Sequence, residues 1–83
     1  MPHYLLHIEY LDERIIDEEG AEFASLDLAR SEAMAALREL FAAAVLSEGK
    51  PVPRSISIYN ETAEHLANVG LELVLPKGVL TDW

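Results

Sequence analysis

The 83-residue chain contains no cysteine. This absence excludes disulfide bonds, zinc–thiolate and iron–sulfur centres, and a cysteine nucleophile. Folding must therefore be stabilised by packing, and domains of this size usually need further support such as self-association. The length fits one domain with a thin core, which leaves little room for a deep substrate cavity.

Positive charge is scarce. Six Lys and Arg stand against 15 Asp and Glu, which gives a formal net charge of −9. Nucleic-acid binding needs a basic stripe, whereas these cations are scattered along the chain, so we predict no direct contact with nucleic acid. A basic protein partner is compatible with the charge, because complementary fields speed the encounter of two proteins.

Long apolar runs are also missing. The longest uncharged stretch, residues 40–47, is far shorter than the roughly 20 residues that a membrane span needs. The first residues lack the basic segment of a secretory signal. We therefore expect a cytoplasmic protein without a membrane partner.

Negative charge is concentrated near the start. Seven carboxylates and one arginine lie between residues 9 and 22. One interpretation is a solvated hairpin edge, and the other is an acidic face for a basic partner. The spacing of a calcium-binding loop is missing. The candidate residues of the acidic face are Glu13, Asp17, Glu18, Glu19 and Glu22.

The first part of the chain reads as a hairpin. Residues 3–10 alternate between apolar and polar, which predicts a half-buried strand, and residues 14–17 predict a short second strand. Turn residues follow, and Gly20 is suited to a positive φ. The inward side chains are expected to be Tyr4, Leu6, Ile8 and Tyr10.

A helix is predicted over residues 26–46, which contain no Gly or Pro, with Ser25 as the N-cap. Its core-facing stripe is expected to contain Leu26, Ala29, Ala33, Leu37, Leu40, Phe41 and Ala44. The opposite face is less polar than a solvated helix face should be, and a second helix could pack along it. This candidate interaction face comprises Leu28, Glu32, Ala35, Glu39, Ala42 and Leu46.

Two further strands complete the predicted fold. Residues 55–59 alternate with Ile56 and Ile58 inward, and residues 66–75 form the last strand, in which Gly70 marks a bulge or bend. In that strand the side chains expected to share a face are Val69, Leu71, Leu73 and Leu75. The order β-β-α-β-β predicts an α+β domain over residues 1–76, with one long helix on a small antiparallel sheet, and a loose tail over residues 77–83.

The sequence offers only weak candidates for metal ligands, catalytic nucleophiles and phosphate-binding loops. His3 and His7 share a strand face but lie about 13 Å apart, too far to share one metal ion, so exposed sheet histidines are the simpler interpretation. No serine stands in a nucleophile elbow, and the four glycines stand singly rather than in a phosphate-binding loop. We predict no catalytic residue, cofactor site or metal site.

Four stretches follow one another in a recognisable order: M-P-H-Y-L-L-H at residues 1–7, D-E-E-G-A-E at 17–22, L-D-L-A-R-S-E-A at 26–33 and I-S-I-Y-N-E at 56–61. They resemble a family of short bacterial proteins known only as a domain of unknown function. Its members open M-P-R-Y-F-F-H, continue through a D-E-x-G-x-E turn and an L-x-x-A-R-x-E-A helix, and close with an I-x-V-x-D-E-x-G hairpin. The resemblance covers about residues 1–75 and implies a fold but no activity.

Two positions depart from the family pattern. His3 replaces the usual Arg, and the closing turn carries Asn60, Glu61, Thr62 and Ala63 in place of D-E-x-G. A weaker resemblance is to HicB-type antitoxins, which place a short sheet before an alanine-rich helix that ends in G-x-x-x-P, here residues 49–53. Such proteins neutralise a small basic toxin, and their separate DNA-binding segment has no counterpart in this chain.

Three functions are compatible with these features. The first is a non-enzymatic interaction module that acts through protein contacts as a homodimer. The alternative is an acidic inhibitor, similar to an antitoxin, that occupies a basic nucleic-acid-binding site on a partner protein. The third is a ligand-binding or enzymatic role, which would need a pocket at an oligomer interface.

Overall fold

A computed structural model describes residues 1–75 of the chain. The predicted tail at residues 77–83, with Trp83, lies outside the described residues. The elements that follow one another within residues 1–75 are β1 (His3–Glu9), β2 (Arg14–Ile15), β3 (Ala21–Glu22), α1 (Leu26–Leu46), β4 (Ser55–Asn60), β5 (His65–Gly70) and a 3-10 turn (Leu71–Leu73). The predicted α+β architecture, with one long helix against an antiparallel sheet, is confirmed.

The sheet is built around the pairing of β1 with β4. The strand order is β2-β1-β4-β5, and all pairs are antiparallel. Leu6 stands opposite Ile58, and His7 stands opposite Ser57. The short strands β2 and β3 both pair with β1 along its other edge, β2 at Ile8 and Glu9 and β3 near its start.

The helix begins and ends as predicted. The Ser25 hydroxyl accepts a hydrogen bond from Leu28 N at 3.2 Å, and this capping bond satisfies a backbone donor that the first turn leaves without a partner. The helix contacts β4 and β5. The side chains that it buries are Ala29, Ala33, Leu37 and Ala44, and the first three of them form one core cluster with Ile56, Ile58 and Val69 of the sheet. The predicted core stripe is therefore confirmed at its centre.

The last strand is shorter than predicted. β5 ends at Gly70, and the chain then turns into the 3-10 helix, so the alternating leucines after Val69 do not share a strand face. Leu73 is exposed, whereas Val74 is buried against the core. The irregularity of this hairpin lies between Ile58 and Tyr59 rather than at Gly70.

The edge beyond β1 also differs from the prediction. The second strand stops at Ile15 rather than at residue 17, and residues 21–22 form a third short strand, β3, that was not predicted. Gly20 has φ +69°, as predicted, and a Cβ there would lie 2.5 Å from the carbonyl oxygen of Tyr4. The close approach of β3 to β1 therefore requires glycine at this position.

The β4–β5 turn is organised by one asparagine side chain. Asn60 Oδ1 accepts hydrogen bonds from the backbone N–H of Thr62 at 3.1 Å and of Glu64 at 2.9 Å. Ala63 has φ +67°, in the left-handed region where a Cβ is unfavourable. This is the position at which the resembling family has glycine, so the Asn60 contacts hold the turn in a conformation that alanine itself disfavours.

We predict that Ala63→Gly stabilises the protein by about 1 kcal/mol, because glycine removes the strain of a left-handed alanine. The measurement is the free energy of unfolding in urea. The matched control is Ala43→Gly on the exposed surface of α1, which should lose about 0.5–1 kcal/mol. Equal losses from both variants would contradict the assignment of strain to Ala63.

Candidate functional site

A polar cluster covers the sheet face that points away from the helix. Inward side chains such as Ile56 and Ile58 alternate along the strands with outward ones. The register of β1 against β4 brings His7 beside Ser57, and β2 adds Arg14 opposite Glu9. The members of this outer-face cluster are His7, Glu9, Arg14, Ser57, Tyr59, His65 and Asn68.

Glu9 is the hydrogen-bonding centre of the cluster. Its carboxylate accepts a hydrogen bond from the buried hydroxyl of Ser57 and pairs with the guanidinium of Arg14 at 2.8 Å. Partial burial pushes the pKa of Glu9 upward, but the hydrogen bonds from Ser57 and Arg14 and the charge of Arg14 outweigh it, so the pKa lies below its ordinary value. A carboxyl group of this kind stays ionised, whereas a general acid at neutral pH needs a raised pKa.

His7 is buried, with 7% of its surface exposed, and the expectation that the sheet histidines are exposed is wrong for this residue. Its Nδ1 accepts a hydrogen bond from the backbone N–H of Asp17 at 3.0 Å, which assigns the ring proton to Nε2 in the neutral form. The ring lies 5.0 Å from that of Tyr59, and Tyr59 stacks on His65 at 4.9 Å. Burial of His7 is thus compensated by one hydrogen bond and by aromatic packing.

Arg14 connects the two halves of this cluster. Its guanidinium carbon lies 5.6 Å from the centre of the Tyr59 ring while its Nε bonds to Glu9. The hydrogen bond to Glu9 raises the pKa of Arg14. The bonds of the cluster are made largely within it, and no histidine base is hydrogen-bonded to Ser57 among the described residues. The arrangement therefore explains sheet stability better than nucleophilic chemistry.

The described residues offer little for a metal ion. Within residues 1–75 no group of three His, Cys, Asp or Glu side chains could hold one. His3 Nε2 lies at hydrogen-bond distance, 2.7 Å, from the carbonyl oxygen of Glu19, and this contact connects β1 to the loop between β2 and β3.

The predicted acidic face is divided by the register. Glu13 lies just before β2, near the end of β1, whereas Glu22 stands opposite His3 at its start. Seven strand residues separate these two places by about 20 Å. Glu18 and Glu19 are exposed in the loop before β3. The five predicted carboxylates therefore form two separate groups rather than one surface.

Asp17 has an internal role. Its carboxylate accepts hydrogen bonds from Leu6 N and Gly20 N, each at 3.0 Å. Leu6 lies on β1 between the stretches that pair with β2 and β3, so the side chain of Asp17 takes the place of a missing strand partner. Sequence reasoning placed Asp17 at the end of the second strand and on the acidic face, and it missed the contact with Leu6, which joins residues 11 positions apart.

The predicted interaction face of the helix lies on the surface. All six of its residues are exposed, Leu28 with 52% and Leu46 with 86% of its surface accessible, and Val45 beside them is also exposed. We call Leu28, Glu32, Ala35, Glu39, Ala42 and Leu46 the outer helix face. Within residues 1–75 no element covers it.

An open groove of about 730 Å³ lies at one end of the sheet. Sequence reasoning did not predict it. A smaller hollow of about 330 Å³ lies near His3. We call the larger of the two cavities the connector groove; its lining residues are Tyr10, Leu11, Asp12, Glu13, Pro51, Val52, Pro53, Arg54, Leu71 and Glu72.

One further polar atom was not anticipated. Nε of Arg30 on α1 is buried without a hydrogen-bond partner among residues 1–75. Most buried polar groups in native proteins are paired. Nothing in the described residues explains this exception.

The fold and its surfaces define a small α+β domain without a recognisable catalytic constellation in residues 1–75. The model of the family described as Domain of unknown function (DUF6894) matches residues 3–72, and the chain belongs to this family. No curated protein and no solved structure matches the chain. No helix in the described residues is long and apolar enough to cross a membrane.

We predict that Asp17→Ala destabilises the protein by about 2–3 kcal/mol, because it leaves the partly buried N–H groups of Leu6 and Gly20 without an acceptor. Urea unfolding measures the change. The control is Glu18→Ala, which removes a neighbouring exposed carboxylate and should change stability by less than about 0.5 kcal/mol. Similar effects of the two variants would show that only the acidic charge of the loop matters.

We predict that Glu9→Gln lowers stability by about 1 kcal/mol at pH 7, since it weakens the contacts with Ser57 and Arg14. The pKa of Glu9 is lowered in the folded state, so its stabilising effect is present above the unfolded pKa of about 4.3 and is lost as the pH falls through the folded pKa. The difference between the two proteins should therefore shrink below about pH 4.

Urea unfolding at a series of pH values measures this difference. The control is Glu48→Gln, which removes the same charge from an exposed residue between α1 and β4 and leaves the outer-face cluster unchanged. A Glu9→Gln difference that is the same at pH 3 and pH 7 would contradict the lowered pKa of Glu9.

Proposed function

We propose that the chain is a non-enzymatic protein-interaction module that self-associates through its outer helix face. The observation that carries this proposal is the exposure of Leu28 and Leu46 at the two ends of a stripe whose middle alternates between glutamate and alanine. These leucines are the apolar side chains that a partner packed along the face would bury. Ala35 and Ala42 would let a second helix approach closely.

The size of the face suggests a weak complex. From Leu28 to Leu46 the stripe extends for about 27 Å along the helix, and one helix is only about 10 Å wide. Such a contact is smaller than the roughly 800 Å² per partner of a stable interface. We therefore expect a dimer that dissociates on dilution.

The charges of the face give the self-association a distinct salt dependence. Glu32 and Glu39 lie on the stripe, and the whole chain carries a net charge of −9. Two copies repel each other at long range, and salt screens this repulsion. Self-association should therefore be strengthened by salt, whereas binding to a basic protein should be weakened.

The acidic-inhibitor alternative has less support. It needs one continuous acidic surface, but the strand register places Glu13 and Glu22 at opposite ends of β1. The carboxylate of Asp17 is also occupied by two backbone N–H groups. These placements favour the interaction module with the outer helix face.

We predict that Ala35→Glu converts the dimer to a monomer. Light-scattering mass over a dilution series at low and high salt should show a species near 18 kDa for the concentrated wild-type chain, twice the monomer mass of 9.2 kDa, that falls toward the monomer mass on dilution, and only the monomer for the variant. The new carboxylates would lie close to each other and to Glu32 and Glu39, where burial and repulsion are unfavourable.

Ala24→Glu is the charge-matched control, because Ala24 is exposed before the N-cap and outside the stripe. It should dimerise like the wild-type chain. A wild-type protein that stays monomeric at every concentration and salt would refute the proposed self-association.

A further inference from the structure

The connector groove is assembled from three segments that are distant in sequence. The β1–β2 turn supplies Leu11, the connector between α1 and β4 supplies Val52, and the 3-10 turn supplies Leu71. Its volume of about 730 Å³ is in the range of sites that hold a small ligand or a few side chains. The groove lies apart from the stripe of the outer helix face, since none of its lining residues belongs to α1.

Backbone contacts fix the walls of the groove. Arg54 N donates to the carbonyl oxygen of Glu9 at 2.8 Å, and Leu71 N donates to that of Arg54 at 3.2 Å. Pro53 is fully buried, and the ring of each proline in the Pro51-Val52-Pro53 wall fixes its φ angle. A site held in this way loses little conformational entropy when it binds a ligand.

The groove is lined by both apolar and acidic side chains. Leu11 exposes 75% of its surface and Val52 exposes 46%, although both line a concave site. Three carboxylates, those of Asp12, Glu13 and Glu72, accompany a single cation, Arg54. None of these four side chains forms an ion pair with another residue in the described part of the chain.

We propose that the connector groove binds an extended segment of a partner protein that carries a large apolar side chain flanked by Lys or Arg. The apolar side chain lies between Leu11 and Val52, and the cations face Asp12, Glu13 and Glu72. This gives the interaction module a second surface, and the inference does not depend on self-association.

Charge decides between the possible occupants. Nucleic acid and anionic membrane surfaces are repelled by an acidic rim, because both present phosphate groups. A second copy of this chain would have to bring a basic segment to the groove, and its six Lys and Arg residues are scattered along the sequence rather than clustered in one segment. A basic, partly apolar segment is attracted by the rim and can bury the exposed side chains of Leu11 and Val52.

The test is an NMR titration of the full-length, ¹⁵N-labelled protein with a synthetic peptide, acetyl-Arg-Leu-Lys-Leu-Arg-amide. We expect saturable shifts at the amides of Leu11, Glu13, Val52 and Leu71, and weaker binding when salt is raised from about 50 to about 300 mM. Two further peptides, with Ser in place of Leu and with Glu in place of the cations, should bind at least about tenfold more weakly. Shifts spread over the whole acidic surface, or equal binding of the three peptides, would overturn the proposal.

Two double variants with the same net charge make the test specific. Glu13→Gln/Glu72→Gln removes two charges from the rim and should weaken binding about five- to tenfold. Glu18→Gln/Glu19→Gln removes two charges from the exposed loop before β3 and should leave binding unchanged. If both double variants weakened peptide binding equally, the affinity would depend only on the net charge of the protein, and this result would overturn the proposal.

The remaining outcomes identify other occupants. Groove amide shifts that change on dilution of the protein alone would indicate a second copy, and nuclear Overhauser contacts from Trp83 to Leu11 or Val52 would indicate the chain itself; either result overturns the proposal. The Ala35→Glu variant separates the two surfaces. Peptide binding that persists in this variant supports the groove even if the outer helix face proves not to self-associate.

Discussion

The pairing of β1 with β4 is the contact on which the rest of the structure depends. It joins Leu6 to Ile58 across the whole helix and connector, and its register runs without interruption from Tyr4 to Glu9. The same register sets both faces of the sheet. On the inner face it aligns apolar side chains beneath α1, and on the outer face it brings Glu9 within reach of the Ser57 hydroxyl. A slip of one residue would exchange the two faces, so the core and the polar cluster specify the same register.

The far edge of β1 shows how a short chain closes a sheet with little backbone. β2 and β3 together contribute four paired residues, and the gap between them is filled by the side chain of Asp17. The carboxylate of Asp17 accepts hydrogen bonds from the backbone N–H of Leu6 on β1 and from that of Gly20 in the loop. The backbone N–H of Asp17 donates to the ring of His7. Because Asp17 is engaged in this way, part of the negative charge near the start of the chain serves folding. The remaining carboxylates are left at two separate ends of the edge.

Local patterns predicted the features of the fold that local chemistry controls. Absence of Gly and Pro, the Ser25 cap and the periodicity of the alanines and Leu37 were sufficient for both ends and the buried face of α1. Alternation was sufficient for the inward placement of Ile56 and Ile58. The same rule failed after Gly70, because leucines at alternate positions look alike in a strand and in a chain that leaves the sheet. The backbone N–H groups of Val74 and Leu75 both donate to the carbonyl oxygen of Leu71, and these turn bonds, which alternation does not reveal, distinguish the two.

The candidate surfaces also differ in whether local sequence or contacts between distant segments form them. The outer helix face was predictable because its six residues recur along one helix, so sequence spacing and spatial position coincide. Burial of His7 and the connector groove were not predictable, since each is made by segments that meet only after the strands have paired.

The net charge of the chain affects binding at both the outer helix face and the connector groove. A chain with a charge of −9 resists contact with its own copies and attracts basic segments, so a single change of ionic strength acts on them in opposite directions. Added salt would therefore strengthen self-association through the outer helix face and weaken the binding of a basic segment in the connector groove. This opposition is a property of the charge distribution itself, and it follows whatever the identity of the partner.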